Sequence, residues 1–170
     1  MQHDDLVENI CSLTKRYEIN PSLLEFELTE NIFFDSYDRA IEASKALREN
    51  GYRISIDDYG SGYSSEDLLL NINFDELKLD RGFVIYLSQE EKRERAMIVL
   101  SSLIEMAKKL NMTIVSEGVE TAEQLKMMRN LGVDLVQGYY FMKPVDVTRF
   151  ELFWELNKGQ FHLPEMYPRE

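Results

Sequence analysis

Segments with strand-like and helix-like periodicity alternate along most of this chain. The predicted strands are residues 23–29, 53–57, 75–80, 112–117 and 134–137, and the predicted helices are residues 4–17, 36–50, 65–71, 91–110, 121–131 and 147–157. Strands separated by helices pair in parallel, because each helix carries the chain back to the start of the next strand. The alternation therefore predicts an α/β fold with about five parallel strands and crossover helices.

The composition is that of a globular protein. A length of 170 residues is typical of one domain with its own core. No apolar run is long enough to span a bilayer, and the polar N-terminus is not a signal peptide. With one cysteine and two histidines, neither an intramolecular disulfide nor a Cys/His zinc site is expected. A reducing cytoplasm is the predicted location.

The net charge of −12 limits the binding partners of the chain. Such a surface does not attract nucleic acid polymers or anionic membranes nonspecifically. An anionic small substrate is compatible with it only where bound cations neutralise a local acidic cluster.

The predicted strand 53–57 ends at two adjacent carboxylates, Asp57 and Asp58, and Gly60 and Gly62 come next. Carboxylates at a strand end repel each other and lose solvation unless a cation lies beside them. A divalent metal ion would meet that need. A solvated β-turn is the structural alternative, because Asp and Gly are ordinary turn residues.

The other predicted strands also end in polar side chains, which lie in the strand or just after it. They are Glu27, Glu30, Lys78, Asp80, Glu117, Glu120 and Gln137. In parallel α/β barrels the carboxyl ends of the strands share one face, and that face carries the active site. An oxygen-rich cluster with one lysine suits Mg²⁺ or Mn²⁺, and two such ions assist a phosphodiester displacement.

Each of these side chains also has a structural interpretation. The glutamates of the first strand would cap the next helix, the lysine would pair with one carboxylate, and the later glutamates would be acids at a helix N-terminus. The glutamine would satisfy buried backbone groups. The expected convergence of all these residues on one face favours a functional site over these separate explanations.

Five segments of the chain resemble, in order and spacing, the successive motifs of EAL domains. They are ELTEN (27–31), DDYGSGYSS (57–65), LKLDRGF (77–83), SEGVET (116–121) and QGYYFMKP (137–144). EAL domains are bacterial cyclic-di-GMP phosphodiesterases that yield linear pGpG. The resemblance runs from about Asp4 to Glu155 and implies a TIM-barrel-like (β/α)8 fold with one antiparallel strand.

The resemblance also implies a role for each matching residue. Glu27, Asp57, Asp58 and Glu117 would hold Mg²⁺ or Mn²⁺, with Asp57 between two ions, and Lys78 would orient the attacking water. Glu120 would support the site, and Gln137 would lie close to a metal ion or its water. Glu30 would brace the loop that contains Gly60, Gly62 and Ser64, which links the active site to the dimer interface in the family.

Against the family pattern, the chain begins in the helix that precedes ELTEN. The first three strands, with two metal ligands and the arginine-bearing substrate segment, have no counterpart. Residues 1–158 are therefore predicted to form a partial EAL domain, followed by a tail, 159–170. Five strands do not close an eight-stranded barrel, so the open edges are expected to be covered by a partner chain or a rearranged segment.

Two functions remain open at this point. The first is the C-terminal portion of a cyclic-di-GMP phosphodiesterase, in which this chain alone turns over little substrate. The second is a non-catalytic binding or interaction module derived from such an enzyme. Either interpretation predicts cyclic-di-GMP as the ligand, a homodimer, and a sensory or GGDEF domain in a longer parent protein.

Overall fold

A computed structural model describes residues 3–29, 33–60 and 66–156 of the chain. The helices are α1 (His3–Arg16), α2 (Phe33–Glu49), α3 (Glu66–Asn71), α4 (Arg81–Ser88), α5 (Glu90–Lys109), α6 (Ala122–Leu131) and α7 (Val147–Leu156), and a 3-10 turn spans Pro21–Leu23. The strands are β1 (Glu25–Thr29), β2 (Arg53–Tyr59), β3 (Glu76–Leu79), β4 (Thr113–Ser116) and β5 (Leu135–Val136). Glu30, Gly62, Ser64 and the tail 159–170 lie outside the described residues.

The five strands form one parallel sheet in the order β1-β2-β3-β4-β5. Helices connect each strand to the next, which confirms the predicted α/β fold. Within residues 3–29, 33–60 and 66–156 the sheet does not close, since β1 pairs only with β2 and β5 only with β4.

The two faces of the sheet have opposite character, because successive side chains of a strand point to opposite sides. The helix-covered face is apolar, and its residues Ile54, Ile56, Leu77, Leu79 and Ile114 are at most 1% exposed. They form the core with helix residues such as Leu87, Leu100 and Ile104. The other face carries charged side chains in β1, β2 and β3 and is the face that positions the candidate site.

Helix α4 was not predicted from the sequence. Asp80 ends no strand but caps this helix, since its Oδ1 accepts a hydrogen bond of 2.8 Å from the Gly82 N–H. Val84 and Leu87, each 1% exposed, anchor the helix in the core. An acid placed four residues before Val84, the first buried position of a short apolar stretch, is the signal for this helix in the sequence.

The buried face of α1 also differs from the prediction. The sequence pattern places Leu6, Ile10, Leu13 and Tyr17 on one helical face, but Leu6, Leu13 and Tyr17 are 44%, 51% and 64% exposed. Of these four residues only Ile10 packs against the core, together with Val7 and Cys11. Periodicity locates a helix better than it locates the contact stripe, because the stripe depends on the partner helix.

No helix in the part of the chain that the structure describes has the length and apolarity needed to cross a bilayer.

Candidate metal centre

The end of β2 has an irregular backbone that brings two adjacent acids into one cluster. The register between β2 and β3 shifts between Ile56 and Tyr59. Asp58 takes a left-handed conformation with φ of +55°, and Gly60 follows with φ of +94°. Adjacent strand residues normally face opposite sides of a sheet. This irregular end lets Asp57 and Asp58 both contribute a carboxylate oxygen to the same group.

Asp57, Asp58 and Glu117 form a cluster of carboxylates at the carboxyl edge of the sheet. Each offers one oxygen, and these oxygens all lie within 4.8 Å of one another. Glu117 follows directly after β4, so the cluster joins the end of β2 to a loop about 60 positions further along the sequence. The Asp57 side chain is only 17% exposed, which does not agree with the alternative of a freely solvated turn.

Lys78 lies at the centre of this edge and contacts three carboxylates from three different strands or strand ends. Its Nζ is 2.8 Å from Glu27 Oε1, from Asp57 Oδ1 and from Glu117 Oε1. The lysine side chain is 8% exposed. We call Glu27, Asp57, Asp58, Lys78 and Glu117 the upper layer of charge. It holds four carboxylates and one ammonium group, so three negative charges are not neutralised within it.

The electrostatics of the upper layer follow from this crowding. Burial alone would lower the pKa of Lys78, but the close ion pairs with Asp57, Glu117 and Glu27 outweigh it and raise that pKa above its ordinary value. The pKa of Asp58 is raised, first by burial and then by the charges of Asp57 and Asp80. Lys78 therefore stays charged, whereas Asp58 binds a proton more readily than an ordinary aspartate does.

The donor set of the upper layer fits a hard divalent cation. All of its ligand atoms would be carboxylate oxygens, the type that Mg²⁺, Mn²⁺ and Ca²⁺ bind. Asp57 Oδ1 is buried and, although it forms an ion pair with Lys78, it has no hydrogen bond of acceptable geometry. A buried oxygen with unused acceptor capacity is what a cation would complete.

Two of the predicted site residues lie beside the cluster. Gln137, just after β5, donates its backbone N–H to Ser116 at 2.8 Å and accepts from the Val119 N–H at 3.1 Å. Glu120 is exposed, and its backbone N–H donates to Gln124 Oε1 at 2.8 Å, next to the capping box of α6. The structure thus aligns the turn that carries Gln137 with the loop that carries Glu117. The roles assigned to Gln137 and Glu120 stay predictions.

A second group of charges, which sequence reasoning missed, lies on the same face toward the amino ends of the strands. Arg53 Nε is 3.2 Å from Glu25 Oε2, and Arg53 Nη2 is 3.7 Å from Glu76 Oε2. Burial and the neighbouring Glu25 raise the pKa of Glu76 to about 7. We call Glu25, Arg53 and Glu76 the lower layer of charge. No motif marks it, because it depends on which strand positions lie side by side.

Sequence comparison places these motifs in a family context. A family model described as the EAL domain matches residues 1–144. Two similar proteins of Pseudomonas aeruginosa are the cyclic di-GMP phosphodiesterases NbdA and RocR, each 36% identical to this chain. The matches cover 87% and 85% of this chain but only 18% and 36% of the lengths of those two proteins.

Solved structures share the fold. The EAL enzyme Bd1971, in its form with bound cAMP and cyclic-di-GMP, has a TM-score of 0.80 at 34% identity and is matched over 88% of this chain and 39% of its own. BlrP1 of Klebsiella pneumoniae, in its manganese and cyclic-di-GMP complex, has a TM-score of 0.74 at 29% identity, over 82% of this chain and 35% of its own. A calcium and cyclic-di-GMP complex of BlrP1 matches with a TM-score of 0.72 at 29% identity, over 81% of this chain and 34% of its own.

Proposed function

The chain belongs to the EAL domain family, and we propose that its upper layer binds divalent cations and forms the acidic part of a cyclic-di-GMP phosphodiesterase site. The single observation that supports this most is the cluster itself. Three carboxylates from two separate segments, the end of β2 and the loop after β4, offer oxygens within 4.8 Å of one another, beside a lysine that neutralises only part of their charge.

The charge balance of the upper layer is the physical argument for a cation. Four carboxylates close to one ammonium group repel one another, and burial strengthens that repulsion. A bound Mg²⁺ or Mn²⁺ would offset that repulsion. The complexes of BlrP1 with manganese and calcium support a divalent cation at this position.

Each residue of the upper layer has a proposed task. Asp57, Asp58 and Glu117 would hold the cation, with Glu27 at the edge of the group, where its side chain is 51% exposed. The cation supplies Lewis acidity for a phosphodiester displacement when it is bound. Lys78 keeps its proton, holds the three carboxylates in place through 2.8 Å contacts, and offers a positive charge to the water that attacks phosphorus.

Cyclic-di-GMP is the proposed substrate and linear pGpG the proposed product. The support comes from the relatives, since NbdA and RocR are cyclic di-GMP phosphodiesterases and the matched Bd1971 and BlrP1 structures contain cyclic-di-GMP. The phosphates of this ligand are anionic, so a cation at the upper layer would also offset their repulsion from a chain of net charge −12.

The open sheet favours a slow enzyme or a binding module over a fast enzyme. The described residues place ligands on the β1–β4 side only, and they form no wall opposite this side. Positioning of the substrate supplies much of the rate in such reactions, so we expect weak turnover by the chain alone.

Exposed strand edges and Leu70, which is 81% exposed, further lead us to propose a homodimer. Light scattering over a concentration series should show it, and a monomer at every concentration would exclude it.

The test of the proposed function is cyclic-di-GMP binding and hydrolysis, each measured with Mn²⁺ and with EDTA. We expect binding that requires Mn²⁺, and pGpG formation that is slow but lost in Asp57→Asn. Glu25→Gln is the matched control, because it also removes one carboxylate from the same face but leaves the upper layer intact. Metal-dependent binding without any pGpG would assign the chain to the non-catalytic module. Absence of any binding would refute the proposal.

A further inference from the structure

The two segments that carry the carboxylate cluster are the end of β2 and the loop after β4, and both pack against the first turn of α4. After β2 the chain turns at Gly60 with φ of +94°, and after β4 it turns at Gly118 with φ of +70°. A Cβ atom on Gly60 would lie 2.5 Å from the ring of Phe83, and one on Gly118 would lie 2.5 Å from the Cβ of Arg81. Side-chain carbons do not approach that closely, so each glycine leaves a space that a residue of α4 fills.

The start of α4 is itself held in place from three sides. Asp80 caps the helix through a 2.8 Å hydrogen bond from the Gly82 N–H. The Asp80 N–H donates to the Tyr59 carbonyl at 3.3 Å, which ties the helix to the end of β2. Val84 and Leu87, each 1% exposed, hold the next turns in the core. The first turn of α4 is therefore a fixed body against which two loops are packed.

We infer that the first turn of α4 is a spacer that sets the distance between the end of β2, which carries Asp57 and Asp58, and the loop after β4, which carries Glu117. Phe83 and Arg81 are positioning residues for the metal centre, although neither supplies a ligand atom. This inference rests on the proposed function and deepens it. It makes metal affinity depend on a helix that carries no ligand.

The size of the effect follows from metal geometry. Mg²⁺ and Mn²⁺ bind oxygen ligands over a narrow range of distances, and a loop displaced by a fraction of an ångström no longer offers its oxygen within that range. Phe83→Ala would remove the ring that supports Gly60 and leave a gap there. The carboxylates of the β2 loop would then be free to move away from Glu117.

The first experiment measures Mn²⁺ affinity by calorimetry in the full chain. We expect Phe83→Ala to weaken Mn²⁺ binding by about tenfold or more, since mutation of a residue that positions metal ligands commonly has an effect of that size. Phe83→Met, whose side chain is long enough to reach Gly60, should recover most of the affinity. Tyr86→Ala is the matched control, because Tyr86 is an aromatic residue of the same helix that is 44% exposed and contacts Lys92. It should leave the Mn²⁺ affinity unchanged.

Gly118, in the loop after β4, has a matched control in Gly51, which lies between α2 and β2. Gly118→Ala adds a side chain at positive φ and against Arg81, whereas Gly51→Ala adds one at φ of +87° with 3.7 Å of room before Pro21. Both variants should lose stability through backbone strain. Only Gly118→Ala should also lose Mn²⁺ affinity, again by about tenfold.

Amide hydrogen exchange of the metal-free protein separates this inference from the proposed function. The Asp80 N–H bonds to Tyr59 and the Glu117 N–H bonds to Leu79, so both report the packing of the loops. Phe83→Ala should accelerate their exchange and Tyr86→Ala should not. If the unaltered chain binds no Mn²⁺, the metal site is refuted. The exchange rates of the metal-free variants would still test whether the first turn of α4 acts as a spacer. Unchanged exchange in Phe83→Ala, or equal loss of Mn²⁺ affinity in Phe83→Ala, Phe83→Met and Tyr86→Ala, would overturn the inference.

Discussion

The upper and lower layers of charge lie on the same face of the same sheet, yet they are held differently. In the upper layer Lys78 is 2.8 Å from each of three carboxylates, and the acids Asp57 and Asp58 belong to an irregular strand end. In the lower layer Arg53 is 3.2 and 3.7 Å from two glutamates that lie at the start of β1 and β3. Both layers therefore consist of one cation among acids.

The difference lies in the charge that is left over. The lower layer has one surplus negative charge, and it can lose that charge by binding a proton on Glu76, whose pKa is about 7. The upper layer has three surplus negative charges, which one proton on Asp58 does not remove. Both layers contain ion pairs, so an ion pair alone does not mark a metal site. The surplus of negative charge at the strand ends is what distinguishes the candidate metal site from a structural ion pair.

Removing the central cation of each layer should have the largest effect. Lys78→Met leaves half-buried and buried carboxylates without their counter-ion, which should lower the free energy of unfolding by about 3 kcal/mol. Arg53→Met should cost about 1 kcal/mol or less, because the Arg53 side chain is 43% exposed. Urea unfolding gives both values.

The same pair of variants tests the metal. Millimolar Mn²⁺ should stabilise both variants, because both keep the carboxylate cluster, but it should stabilise Lys78→Met more, since that cluster has lost its counter-ion. Equal losses in the two variants, or equal responses to Mn²⁺, would remove the distinction between the layers.

The lower layer should dominate the pH dependence of stability near neutrality. The folded protein holds the proton of Glu76 more tightly than the unfolded chain does, since the pKa rises from 4.5 to about 7. This contribution is complete at low pH and is lost as the pH rises from 4.5 through about 7, by roughly 3 kcal/mol in total. Glu76→Gln should flatten the stability profile in this window.

Lys78 provides the contrast within the same pH range. Its ordinary pKa of 10.5 keeps Lys78 charged in the unfolded chain, and its raised pKa keeps it charged in the folded protein. Lys78 therefore does not change the dependence of stability on pH between pH 4.5 and 7. If Glu76→Gln leaves the profile of the unaltered protein unchanged, the lower layer does not relieve its charge through this glutamate.

The smallest expected effect concerns Asp80, which links α4 to the upper layer. Asp80→Asn keeps a good N-cap and removes a negative charge that raises the pKa of Asp58. The pKa of Asp58 should therefore fall, and carboxyl NMR titration measures it. Asp146→Asn, at an exposed cap before α7, is the control and should not move it. A fall of equal size in both variants would show that the effect is one of net charge alone.

Much of this fold follows from the sequence, and the reason is that its signals are local. Strand–helix alternation predicts the parallel sheet, and polar residues at strand ends predict that Glu27, Asp57, Lys78 and Glu117 meet. These predictions need only the period of a pattern and the fact that the carboxyl ends of parallel strands share an edge.

What the sequence does not show depends on contacts between distant elements. The sequence pattern does not predict helix α4, because Asp80 falls at the end of the predicted strand 75–80 and Gly82 weakens the helical pattern. The lower layer was missed because the register that brings Arg53 beside Glu25 is visible only in the paired strands. The packing of Phe83 against Gly60 likewise joins residues that no periodicity relates.

The central claim is that the surplus charge of the upper layer is a site for a divalent cation. Calorimetric titration of Mn²⁺ into the metal-free chain tests it most directly, with a double variant, Asp57→Asn and Asp58→Asn, and with the lower-layer variant Glu25→Gln alongside. The account predicts saturable binding by the unaltered chain and by Glu25→Gln, and none by the double variant. Equal binding by all three proteins, or saturable binding by none of them, would contradict it.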